Sequence, residues 1–202
     1  LASYFYAKNE GFLMNKQVTF LNGTSIYLRP VSQDDIPLVE RGKNDPAVRE
    51  TLFLFQPVTR EMAAAEQQSW ASGKETALFT ICESATDEAV GQTAFVRIDL
   101  VSRAAVFYIA IYDPGSWSKG YGSEATRLML HYAFDILNLN RVQLHVAVEN
   151  TKGVKAYQKA GFTIEGTLRE AMYHNNKYCD FYVMGILRKE YYAQQEALKS
   201  HP

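Results

Sequence analysis

Trp117-Ser118-Lys119-Gly120-Tyr121-Gly122-Ser123-Glu124-Ala125 stands where a strand pattern, Ala104 to Tyr112, gives way to a helical one running from about Gly120 to Leu137. Two glycines at the mouth of a helix expose backbone N–H groups that have no intrahelical partner. Together with the positive end of the helix dipole they make a seat for phosphate. Glycine suits this place because a Cβ would block close approach of a phosphate oxygen to the backbone. By itself the pattern is also what a glycine-rich helix start without a ligand looks like, so the flanking elements decide between the two.

Those elements alternate in a definite order. Upstream, Ile26-Tyr27-Leu28-Arg29-Pro30 reads as a short strand stopped by its proline. Asp34 or Asp35 is expected to cap a helix with Pro37 in its first turn, Asp45-Pro46 opens a second helix, and Thr59 caps a third that Gly73 ends. The period then changes to that of strands: Thr76–Glu83, Ala89–Leu100 and Ala104–Tyr112, joined closely enough for antiparallel hairpins. Downstream of the glycines come an amphipathic helix, a strand Val142–Val148, a short helix capped by Asn150 or Thr151 and stopped at Gly161, and two strands, Phe162–Tyr173 and Tyr178–Leu187. One mixed sheet with helices on its faces accounts for this order.

Composition narrows the function. The chain has 202 residues, 47% of them apolar and 21% charged, with a formal net charge of −1. That is the balance of an ordinary globular domain, and it offers no global attraction to nucleic acid or anionic membrane. No apolar run approaches the ~20 residues that span a bilayer. Cys82 and Cys179 lie far apart without metal-ligand spacing, which argues against a disulfide framework or a zinc site and for a reducing, cytoplasmic compartment. Leu1–Leu13 lack the pattern of a signal peptide and are expected to be an extension outside the fold. The domain is expected over residues 14–190, with a polar helical tail over 191–202.

In their order and spacing, Ile26-x-Leu28-Arg29, Trp117-x-x-Gly120-Tyr121-Gly122-x-Glu124-Ala125, Asn140-Arg141-Val142, Asn150, Tyr157-x-Lys159-x-Gly161-Phe162 and Glu165-Gly166-x-Leu168-Arg169 resemble the GNAT superfamily of acyl-CoA-dependent N-acetyltransferases. The resemblance is nearest to the branch of the ribosomal-protein N-terminal acetyltransferases and their small-molecule relatives. It covers about Ser25 to Tyr191. One departure is Trp117, where the common phosphate-loop pattern begins with Gln or Arg.

The resemblance implies a mostly antiparallel mixed sheet of six to seven strands with helices on both faces, and acetyl-CoA as cosubstrate. The backbone N–H groups of Ser118, Lys119, Gly120, Tyr121, Gly122 and Ser123 would hold its pyrophosphate. Backbone groups of Ile109, Ala110 and Ile111 would pair with pantetheine where strand Ala104–Tyr112 splays from strand Val142–Val148, and the Ile111 N–H would face the thioester oxygen. Asn150 matches the pantetheine-binding position and Tyr157 the general acid, which protonates the departing thiolate. For the base that accepts the amine proton, His145 is the first choice and Glu83 the second, while His131 and His174 read as surface or turn residues. The acceptor is expected to be a primary amine of a small molecule or a protein N-terminus, and the chain to form a homodimer. Its pocket would draw on Val39–Arg60 and Tyr173–Phe181, with Phe53, Phe55, Tyr173, Tyr178 and Phe181 as aromatic lining. A non-catalytic acyl-CoA-binding domain is the alternative; it would keep the glycine loop but could dispense with Tyr157.

Overall fold

A computed structural model describes residues 18–200, so the extension expected over Leu1–Leu13 lies outside the described residues. Eight strands form one sheet in the order β1-β2-β3-β4-β5-β6-β8-β7. They are β1 (Leu21–Asn22), β2 (Ile26–Pro30), β3 (Ala77–Glu83), β4 (Ala89–Asp99), β5 (Ala104–Ile111), β6 (Arg141–Ala147), β7 (Thr163–His174) and β8 (Lys177–Leu187). Three helices precede β3: α1 (Ile36–Asn44), α2 (Pro46–Leu52) and α3 (Arg60–Ser72). Then α4 (Tyr121–His131) follows β5, α5 (Thr151–Lys159) follows β6, and α6 (Arg188–Ser200) ends the described chain. The order is the expected one. The extra strand is β1, whose two residues are too short to leave a period in the sequence.

Hydrophobic periodicity splits the molecule into two layers. Phe95, Phe107, Val142, Leu144 and Val146 face Ala125, Met129 and Phe134 of the α4 side, all in one buried cluster. On the opposite face of the sheet, Ala110 and Tyr112 meet Val39, Val48 and Ala63 from α1–α3. Because side chains alternate along a strand, β5 and β6 present each layer with every second residue.

Side-chain caps set the helix starts. Asp45 accepts from the N–H groups of Ala47 and Val48 at 2.8 and 3.1 Å, and Thr59 from that of Met62 at 3.3 Å. The first start differs from expectation. Ser32 caps a 3-10 turn, and Asp35 is buried against Arg29, whose guanidinium donates to it at 2.6 and 2.9 Å. Asp35 also accepts from the Ser32 N–H at 2.8 Å and closes a capping box, so one buried carboxylate serves both the guanidinium and the start of the turn.

After His131 the helix widens into a π-helical turn, Tyr132–Ile136. There Asp135 accepts from the hydroxyls of Tyr191 at 3.2 Å and Tyr192 at 2.7 Å. Tyr191 is buried in the core against Phe134, so the first turn of α6, expected within a polar tail, packs on the π-helical turn. Among the described residues no helix is long and apolar enough to cross a membrane.

Candidate active site

Among the described residues, β5 and β6 are the one parallel pair in the sheet, and they stay together only briefly. Ala104, Ala105 and Val106 pair with Arg141, Val142 and Gln143, after which the register ends. Beyond that point β5 stays on β4 and β6 stays on β8, so a gap opens between two strands that keep their outer neighbours. Such a gap leaves main-chain groups directed at whatever enters it.

Strand alternation decides which groups those are. Tyr112 donates its N–H to the carbonyl of Val90 at 2.9 Å, which directs the backbone of Tyr112, Ala110 and Tyr108 to β4. Ile109 and Ile111 therefore turn their N–H and C=O into the gap, as expected for both. Ala110 does not. Its carbonyl faces Gly91, where an added Cβ would lie 2.2 Å from the Ala110 oxygen. The expectation for Ala110 took three consecutive residues where a period of two allows only alternate ones.

At the C-terminal end of β5 the chain turns through Pro114–Ser116 into the glycine loop. Ser118 has φ 63° and Gly120 φ 87°, so two left-handed residues swing the chain back into α4. Gly120 caps the helix without a side chain, and the first intrahelical bond is from Glu124 N–H to the Gly120 carbonyl at 3.0 Å. The N–H groups of Tyr121, Gly122 and Ser123 thus have no acceptor inside the helix. A Cβ built at Gly120 or Gly122 would meet nothing within 4 Å, so the space next to both is left open by the described residues. That cradle fits a diphosphate. Lys119 brings its ammonium 5.6 Å from the centre of the Tyr121 ring.

The Trp117 indole N–H donates to the Ile111 carbonyl at 3.0 Å. Trp117 thereby ties the start of the loop to the free edge of β5, work that a short polar residue could not do across the same span. Glu124, one turn into α4, accepts from the backbone N–H of Thr24 and of Ser25, and so ties α4 to the β1–β2 turn.

Tyr157 and Asn150 stand on the α4–α5 side. Asn150 Oδ1 accepts from Gly153 N–H at 2.9 Å, the capping bond of α5. The Tyr157 ring is half-buried, edge-on to Phe107 at 6.3 Å and to Phe162 at 5.9 Å. Burial pushes its phenol up to about 12, with Tyr108 adding to the shift. The group is fully protonated at neutral pH.

His145 lies on the other face. In β6 it alternates with Leu144 and Val146 of the core, is exposed, and pairs across with Val183. Glu83 is held elsewhere: it accepts the Tyr121 hydroxyl and that of Thr86, and the Tyr121 bond holds its carboxyl below the ordinary range. A carboxylate so engaged is a poor proton acceptor, and it sits on the α4 side with Tyr121. His145 is therefore the remaining choice of the two.

A family model described as an acetyltransferase (GNAT) domain matches residues 25–163, well over half of the chain. The chain belongs to the GNAT acetyltransferases. It uses acetyl-CoA as cosubstrate and transfers the acetyl group to an amine.

Relatives agree. A spermidine N(1)-acetyltransferase of Vibrio cholerae is 37% identical over 116 residues, 57% of this chain and 66% of that relative's own length. One from Escherichia coli K12 is 29% identical over 174 residues, 85% of this chain and 91% of the relative. Among solved structures, the Vibrio cholerae spermidine N-acetyltransferase in complex with CoA and spermine superposes with a TM-score of 0.77 at 27% identity, covering 84% of this chain and 99% of that one.

The acceptor side of this GNAT domain departs most from expectation. Of the five aromatics, Phe53 and Phe181 come together on the α2 side, with ring centres 5.0 Å apart. Phe55 is 80% exposed, and Tyr173 and Tyr178 pack on each other at the surface. His174, expected in a turn, ends β7, and its imidazole lies 4.6 Å from the Phe53 ring. The turn itself is Asn175-Asn176, both with positive φ, which the right-handed twist of a hairpin favours. These are the two central residues of the turn that the sequence places at His174-Asn175-Asn176-Lys177.

Proposed function

We propose that this chain acetylates a primary amine of a polyamine of the spermidine type, with His145 and Tyr157 acting from opposite faces of the sheet. The observation that carries the reading is the gap between β5 and β6, which has the glycine cradle at its mouth and a protonated phenol on one side. The names of the relatives support the acceptor class.

Acetyl-CoA supplies an activated acetyl thioester. The N–H groups from Ser118 to Ser123 hold its diphosphate, and the Ile109 and Ile111 backbone, with Asn150, hold pantetheine. The Ile111 N–H stabilises the negative charge that grows on the acetyl oxygen during attack. The amine arrives as an ammonium with pKa near ~10 and must lose a proton before it can attack. His145, on the α1–α3 face, accepts that proton. Tyr157, on the α5 face, protonates the sulfur as it leaves.

Two further readings accompany this one. The chain works as a homodimer through β7, the outermost strand, along which Ile164, Leu168 and Met172 are each more than a third exposed. It acts in the cytoplasm, consistent with two buried, unpaired thiols.

The test is a panel of spermidine, an amino-acid amide and a peptide with a free N-terminus, assayed with acetyl-CoA by release of the CoA thiol. The expected result is a kcat/KM at least tenfold higher for spermidine than for the others. A higher value for the peptide would replace the polyamine with a protein N-terminus. Tight acetyl-CoA binding with no thiol release from any amine would leave a non-catalytic binding domain. Light scattering on the eluting protein checks the dimer.

A further inference from the structure

The residue that ends α2 is Phe53, with φ 56° and ψ 39°. A left-handed helix stop is a place for glycine or asparagine, because a Cβ is crowded there. A bulky aromatic holding it is a local strain, and strain of this kind persists where the ring is needed.

The ring is braced on two sides. The His174 imidazole lies 4.6 Å away, and Phe181 stands edge-on at 5.0 Å with an interplanar angle of 67°. Glu50, one turn earlier on α2, accepts from His174 Nε2 at 3.0 Å and from Asn175 Nδ2 at 2.9 Å. On the other side of the same turn, Lys177 Nζ donates to Glu149 at 2.6 and 2.8 Å. The β7–β8 turn is thus fastened both to α2 and to the chain just beyond β6.

Register places this assembly relative to the gap. Phe181 pairs with Ala147, and Val183 with His145, so all four side chains lie on the α1–α3 face. Phe53 packs on Phe181 at the end of β6, beyond the point where pairing with β5 stops.

We infer that Phe53 is a specificity-determining residue, whose ring limits the girth of the amine reaching the acetyl group. This rests on the reading that acceptors enter from the α1–α3 face. An unbranched alkylammonium passes along the ring, and its charge is attracted to a π face. An aryl or branched amine requires the ring to move, and the ring is packed against His174 and Phe181.

Phe53→Gly tests this, because glycine adopts the left-handed stop without strain and only the ring is lost. The wild-type protein and the variant are compared with spermidine and benzylamine, alongside acetyl-CoA affinity by calorimetry and thermal unfolding. The expected result is an unchanged acetyl-CoA affinity and a benzylamine-to-spermidine ratio of kcat/KM at least tenfold higher, mostly through KM. Glu50→Ala, which removes the brace and keeps the ring, should raise the ratio about threefold. A ratio that stays within twofold of wild type in a folded, acetyl-CoA-binding Phe53→Gly variant would overturn the inference. So would a wild-type enzyme that already accepts benzylamine as well as spermidine. A wild type that prefers a peptide N-terminus instead removes the polyamine reading, and the ratio is then taken between peptides with glycine and with phenylalanine at the first position, under the same criteria.

Discussion

The two walls of the gap between β5 and β6 are built in different ways. On the α4–α5 side the features that suit a donor are main-chain groups: the edge of β5, the first N–H groups of α4, and open space above Gly120 and Gly122. Those positions follow each other within a short stretch of chain. On the α1–α3 side the wall is made of side chains from α2, β6, β7 and β8, which meet through the sheet register and through packing of α2 on it. Main-chain recognition is encoded by spacing and by glycine. Side-chain recognition depends on which distant residues are brought together. A chain can therefore keep its donor wall while its acceptor wall changes.

That contrast can be broken at four places. The largest expected effect is at Tyr157. Tyr157→Phe keeps the ring on Phe107 and Phe162 and removes only the hydroxyl, so kcat should fall by ~10²–10⁴-fold with acetyl-CoA affinity unchanged. Because burial raises this phenol to about 12, it stays protonated throughout the neutral and mildly alkaline range. Raising the pH from 7 to 10 should not deprive wild type of its acid. A kcat within threefold of wild type, under conditions where chemistry limits the rate, would remove Tyr157 from the reaction.

Next come the two glycines, which separate binding from folding. Gly122 is helical and has open space around it, so Gly122→Leu should gain about 0.8 kcal/mol of helix propensity while the new side chain fills the phosphate seat. Acetyl-CoA affinity should drop at least ~100-fold with no loss of thermal stability, about 2.7 kcal/mol of binding. Gly120→Val should show the same loss together with roughly 1–2 kcal/mol of destabilisation, because its φ is 87°. Calorimetry that finds wild-type affinity in Gly122→Leu would place the diphosphate elsewhere.

The acceptor wall is probed at His145, where a smaller effect is expected because the imidazole is exposed. His145→Gln should lower kcat/KM about tenfold at pH 7, less than the ~10²–10⁴-fold usual for acid–base catalysis, and flatten its rise with pH. Acceptors of different basicity sharpen the result. A rising limb that follows the acceptor's own pKa and survives the substitution would assign deprotonation to solvent.

The smallest effect is at Trp117. Trp117→Phe removes one hydrogen bond to the Ile111 carbonyl, worth ~1 kcal/mol, and acetyl-CoA should bind about fivefold more weakly. An unchanged affinity would mean that the edge of β5 holds its geometry without the indole.

Much of the donor wall was legible in the sequence because its signals are local. Gly120 and Gly122 mark a helix mouth, Asn150 a helix cap, and Tyr157 a helix face, each within a few residues of the feature it makes. Where the reading slipped there, at Ala110, the error was one of phase: three consecutive residues were taken where alternate ones face the gap. Glu83 was a candidate base only while its partner was unknown. Tyr121 lies 38 residues away in the chain, and their bond exists only because β3 and the start of α4 are neighbours.

By itself the sequence determined the order of elements and the strand-to-helix turn with its glycines. Periodicity, caps and turn chemistry act over a few residues, so they survive without any knowledge of contacts. Tertiary structure alone decided that Asp35 pairs with the buried Arg29 besides closing a capping box, that Trp117 fastens β5, and that Phe53, His174 and Phe181 form one assembly. Each of these joins groups through packing or through hydrogen bonds across the sheet. Their energies come from burial and pairing that appear only once the strands are in register.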